Sequence, residues 1–156
     1  MLTVLIVFTC IGAGTIGGVF FAFSAFVMKS LAQLPASHGV AAMQRINVVV
    51  LNPLFLSLFM GTAVLCVSCV VVSFVPWSAP RSPLLLAAGL LYLAGSWGVT
   101  IAFNVPRNNR LAGANAESSD AVTYWPVYVR EWSMWNHVRT VASVASSACS
   151  ATSLAT

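Results

Sequence analysis

Trp132-Ser-Met-Trp-Asn-His-Val-Arg139 is the stretch whose reading decides the fold. Behind it stand only 17 residues, 140–156, almost all small or apolar. At ~1.5 Å per helical residue they fall short of a hydrocarbon core of roughly 30 Å. A membrane crossing built on them must begin near Trp132 and carry Asn136, His137 and Arg139 with it. Polar groups at that depth are costly to desolvate, so they need partners and often serve function.

Working outward, three longer apolar runs precede this one, at about 2–28, 46–75 and 84–103, with the fourth at 132–154. Asn52-Pro53 falls near the start of the second. Each of the first three meets the requirement of about 20 residues for a span. The expectation is an all-α integral membrane four-helix bundle, one domain over 1–156. Composition agrees: charged residues make up 6% and hydrophobic residues 59%, with mean hydropathy +0.90. A soluble domain carries about 25% charged residues. No Lys or Arg precedes the first run, which continues unbroken to Met28, so it reads as a retained helix rather than a signal peptide.

The net charge of +4 is spread over loops, with no basic stripe interleaved with aromatics, which argues against a nucleic-acid partner. The partner implied is the lipid bilayer. Lys29, Arg45, Arg107, Arg110 and Arg130 lie in the first and third loops, and only Arg81 in the second. The positive-inside rule then puts loops one and three in the cytoplasm and both termini outside.

Small residues mark helix contacts: Gly14 and Gly18, Ala94 and Gly98, and the Ala/Ser-rich fourth run. Gly14 and Gly18 also suit a homo-oligomer contact. Cys66-Val-Ser-Cys69 spells a C-x-x-C, but deep in a span a thiolate is hard to form, and small packing residues are the plainer reading. No zinc motif, carboxylate pair or phosphate loop is present.

With this topology the polar side chains collect at one end. Gln44, Asn47 and Asn52 open the second run, Asn104 closes the third, and Glu131, Asn136, His137 and Arg139 open the fourth. Ser24 and Lys29 close the first. The other end offers Trp77, Ser78 and Arg81. On a helix, Trp132, Asn136 and Arg139 form one stripe and Ser133, His137 and Thr140 the next. His137 suits a general base, an axial haem ligand or a structural partner to another helix. Arg139 suits an anionic ligand, a pair with Glu131, or headgroups. Trp125, Trp132 and Trp135 read as an interfacial belt or a substrate stack.

The runs Phe21-Ala-Phe-Ser-Ala-Phe-Val-Met28, Ala42-Met-Gln-Arg-Ile-Asn47 and Leu51-Asn-Pro53 resemble the anthrone oxygenase (DUF1772) family. So do Val99-Thr-Ile-Ala-Phe-Asn-Val-Pro106, with Asn108 and Leu111, and Tyr128-Val-Arg-Glu-Trp-Ser-Met-Trp-Asn-His-Val-Arg-Thr140. The resemblance implies a small integral protein of the bacterial inner (plasma) membrane. It implies O2 as co-substrate and a flat hydrophobic aromatic substrate, an anthrone, oxidised to a quinone. His137 would then be the catalytic base. Gln44, Asn47, Asn52, Asn104, Glu131, Trp132, Asn136 and Arg139 would bind substrate or cofactor. A haem held by His137 and a cofactor-free mechanism both fit. The alternative is a non-enzymatic membrane accessory or ligand-binding protein.

Overall fold

The computed structural model describes residues 1–76 and 80–156; Trp77 and Ser78, expected at the less polar end, fall outside it. The described residues form five helical rods and no strands. α1 is Leu2–Ala32, α2 Ala36–Val49, α3 Pro53–Val72, α4 Ser82–Ala112 and α5 Ser119–Ser153. Three of them, α1, α3 and α4, are long and apolar enough to cross a membrane. Only 39%, 28% and 33% of their apolar windows is buried within the protein. The rest faces outward. On α3 the exposed face carries Leu54, Met60, Val64, Val67 and Val71, while Phe59, Thr62, Ala63, Cys66 and Cys69 pack inward. An apolar outer face of this kind is solvated by lipid.

The expected second run is two elements. Residues 46–49 belong to α2, and the chain turns at Val50 and Leu51 before α3 starts. The reason is local. Pro53 has no N–H to give to a preceding turn, and Asn52 caps α3 by accepting the Phe55 N–H on Oδ1 at 3.0 Å. α4 also outruns its expected end at 103, continuing to Ala112. Its wide-turn segment Thr100–Asn104 comes just before Pro106, which cannot donate to the preceding turn.

α5 begins at Ser119 rather than 132, because Ser118 caps it through the Ala121 N–H. Its C-terminal half packs along α1 and α4. The packed face carries Ser143, Ser146, Ser150 and Ser153, all buried, which lowers its hydropathy below that of α1, α3 and α4. Ser146 donates to the Ala88 carbonyl at 2.7 Å and Ser147 to that of Cys10 at 2.9 Å. The rods approach closely: a Cβ on Gly95 would sit 2.5 Å from the Ala142 Cβ. Gly14 is likewise taken up inside the fold, against Ser147, and of this pair Gly18 alone has open space around it. Cys66 and Cys69 are free thiols buried on α3, with Cys69 Sγ 3.5 Å from Thr9 Oγ1, as packing residues are.

Candidate functional site

A cavity of about 510 Å³ lies between α1, α2, α3, α4 and α5. Its walls are mainly apolar, among them Phe20, Phe23, Phe55, Phe59 and Trp97. Its outer rim includes Leu51, Leu56, Met60, Ile101 and Val105, all of which are exposed. The mouth therefore opens sideways between α3 and α4, toward the surface that lipid would cover, rather than along the bundle axis. α2 closes the cavity on one side, and Gly39 seats it against α5: a Cβ there would lie 2.7 Å from the Trp125 ring.

Arg139 is the charged wall of this cavity and is only 5% exposed. Its Nη2 donates to Asn136 Oδ1 at 2.7 Å and its Nη1 to Thr100 Oγ1 at 3.2 Å. The guanidinium lies over Phe20 at 4.2 Å and Trp132 at 5.0 Å from the ring centres. Its Nε has no hydrogen-bond partner among the described residues. No carboxylate reaches it among the described residues. Glu131, the expected partner, is held instead by Arg107, whose Nε and Nη2 both lie 3.0 Å from Oε2. Arg107 sits on the extension of α4 past Asn104, so the ion pair forms near the surface and leaves Arg139 alone inside.

Asn136 orients that guanidinium. Its Nδ2 donates to the Phe20 carbonyl and to Ser24 Oγ, both at 2.8 Å. A carbonyl oxygen can only accept, so the amide nitrogen must face α1 and Oδ1 must face Arg139. Ser24 and Thr100 both come from wide-turn segments, Phe23–Val27 in α1 and Thr100–Asn104 in α4. Such segments shift side-chain register relative to a regular helix.

A second polar corner stands beyond Trp132. Asn108 Oδ1 accepts from Tyr128 Oη at 2.8 Å and from Trp132 Nε1 at 2.9 Å. Asn47 Nδ2 lies 3.5 Å from the same Tyr128 hydroxyl. That phenol is fully buried. Gln44 Nε2 donates to the Leu111 and Ala114 carbonyls, each at 2.8 Å.

Of the expected site residues, Gln44, Asn47, Trp132 and Arg139 line the cavity, and Asn136 stands directly behind Arg139. Asn104 is buried beside α5, its Nδ2 donating to the Trp132 carbonyl at 3.3 Å, without lining the cavity. Asn52 is spent on capping and borders a separate shallow depression with Arg45 and Val49. Glu131 is the surface partner of Arg107. His137 is exposed on the outer side of α5, where its Nδ1 meets Ser24 Oγ at 2.9 Å. One residue is about 100° of helix, so Asn136 turned inward leaves His137 turned out. The cavity receives no imidazole, and a haem lodged there could not be ligated by His137. Trp125 and Trp132 are core residues rather than an interfacial belt, stacked in series with Tyr128. Asn108, like Thr100 and Tyr128, is a residue of this site that the sequence flagged only within a resembling motif. Its position one helical turn after Asn104 was the available signal.

The described residues define an all-helical protein with membrane-length helices around an apolar, laterally open cavity whose wall carries Arg139, a buried cation without a carboxylate partner among those residues. The family model described as anthrone oxygenase matches residues 55–149, well over half of the chain, and the chain belongs to that family. The matched stretch includes Asn104, Asn108, Trp132, Asn136 and Arg139, while Gln44 and Asn47 precede it. Comparisons with curated proteins and with solved structures give no match.

Proposed function

We propose that this protein is a membrane oxidoreductase that binds a flat phenolic polycycle of anthrone type in the α1–α5 cavity and oxidises it with O2. The observation that carries the reading is Arg139: a buried guanidinium with no carboxylate, facing an apolar cavity. A buried charge without a counter-charge is costly, so such a site favours a ligand that brings negative charge. Loss of a CH2 proton from an anthrone to water, returned when O2 is reduced to H2O, gives an aryl-oxide anion whose charge rests largely on oxygen. A preoriented guanidinium in an apolar wall stabilises that anion, and lowers the cost of forming it, far more than water would. The anion then reacts with O2. Overall the CH2 carbon and O2 become C=O and H2O, so the substrate supplies all the electrons. The cavity volume falls within the roughly 300–1,000 Å³ of small-molecule pockets.

In this reading Asn136 and Thr100 aim Arg139, the aromatic walls hold the rings, and the substrate arrives from lipid through the α3–α4 mouth. His137 holds Ser24 from outside and takes no proton from substrate. α5 is a fourth crossing, loops one and three are cytoplasmic, and the membrane is the bacterial inner membrane. A reporter fused at Thr156 should read as external.

The test is O2 uptake by the purified protein in liposomes with an anthrone as substrate, with quinone formation followed by absorbance. Uptake stoichiometric with quinone supports the reading. Tight binding without uptake would leave a ligand-binding membrane protein, and no binding would remove the substrate assignment.

A further inference from the structure

The geometry points to a second recognition site in the same cavity, at Gln44 and Asn108, that reads a ring hydroxyl other than the oxygen held by Arg139. This inference rests on the proposed function and adds the specificity of the site.

The argument starts from two amides whose orientation is forced. Trp132 Nε1 can only donate, so the Asn108 atom 2.9 Å from it is the oxygen. Tyr128 donates to that same oxygen. Both Oδ1 acceptor sites are therefore filled, and Asn108 Nδ2 makes no hydrogen bond among the described residues. Gln44 is fixed in the opposite sense. The atom facing the Leu111 and Ala114 carbonyls must be nitrogen, and both of its hydrogens are consumed. Gln44 Oε1 makes no hydrogen bond among the described residues. Both side chains line the cavity. These two lining side chains thus offer one unused donor and one unused acceptor, each locked by its other end. A hydroxyl both gives and takes one hydrogen bond, and it satisfies the pair at once.

The spacing from the cation is set by one side chain. Arg139 lies over the Trp132 ring and Asn108 binds that indole's Nε1. One recognition point stands over the face of that indole and the other at its Nε1 edge, so a flat fused-ring ligand lying along the indole can meet both. The ligand that fits is then a fused aromatic with an ionisable oxygen for Arg139 and a separate neutral hydroxyl for Gln44 and Asn108.

The experiment is anaerobic titration of the wild-type protein, in liposomes, with two probes. One is unsubstituted anthrone, the other an anthrone carrying one hydroxyl on an outer ring remote from the carbonyl. Binding is read from quenching of tryptophan fluorescence, since Trp97 and Trp132 line the cavity. The hydroxylated probe should bind about tenfold more tightly, the worth of two neutral hydrogen bonds. Under O2 the same preference should appear in KM and not in kcat. Gln44→Met should bring the two affinities together. Equal wild-type affinities, with both probes oxidised, would overturn the hydroxyl site and leave the oxygenase reading standing. Failure of the wild type to bind either probe would overturn both.

Discussion

Replacing Arg139 by Met separates the function of this guanidinium from its part in folding. An arginine in a buried ion pair leaves an unpaired carboxylate when removed, at a cost of roughly 3–5 kcal/mol. Arg139 has no such partner. Its loss orphans the buried Asn136 Oδ1, costing ~1–3 kcal/mol. It also forfeits the contacts with the Phe20 and Trp132 rings, worth ~0.5–2 kcal/mol. Against these, the variant no longer desolvates an ion, a penalty of several kcal/mol. Thr100 keeps its bond to the Ser96 carbonyl and is not orphaned. The net change in stability should stay within ~2 kcal/mol. Turnover should fall by ~10²–10³, the effect of deleting one oxyanion donor. Arg139→Lys keeps the charge but loses the fork that reaches Asn136 and ligand together, and should retain about a tenth of the rate. The assay pairs O2 uptake on an anthrone with thermal loss of helicity by circular dichroism. A folded Arg139→Met protein consuming O2 at the wild-type rate would refute the argument.

Three further outcomes follow from the same geometry. His137→Gln keeps a polar partner for Ser24 and, because His137 faces away from the cavity, should hold turnover within about threefold; a folded variant losing the ~10²-fold or more of a true general base would make His137 the base after all. Glu131→Gln removes a half-exposed ion pair with Arg107 and should change stability by less than ~1 kcal/mol, with substrate affinity unaltered; a large affinity loss would tie Glu131 to Arg139. Gly39→Val drives a side chain into Trp125 and should destabilise by ~1–3 kcal/mol, with faster proteolysis between 29 and 52 as α2 lifts; wild-type protease resistance would show that α2 is not seated as described.

The three apolar rods were legible because lipid-facing helices announce themselves by composition alone, and the polar end was legible because each polar residue there stands out against an apolar background. The start of α3 was also written in the chain, in Asn52-Pro53, yet the hydropathy of residues 46–51 masks the break. Those residues are apolar because they border the cavity and the lipid, not because they extend a span. What the sequence could not supply was azimuth. Asn136, His137 and Arg139 sit within one turn, and only the packing of α5 against both α1 and α4 decides that Asn136 and Arg139 face in. The same holds for Glu131, whose partner depends on how far α4 runs beyond Asn104. Asn108 stayed obscure because its stretch reads as loop when Pro106 is taken as a helix stop. The wide turn at Thr100–Asn104 instead carries the helix past the proline.

The most direct measurement of the central claim is the absorption spectrum of an anthrone bound to the wild-type protein, at neutral pH and without O2. The account predicts that Arg139 stabilises the anion, so the bound ligand shows the red-shifted spectrum of its deprotonated form, and that Arg139→Met abolishes this. A bound ligand with the spectrum of the neutral ketone, or an anionic spectrum that survives Arg139→Met, would contradict it.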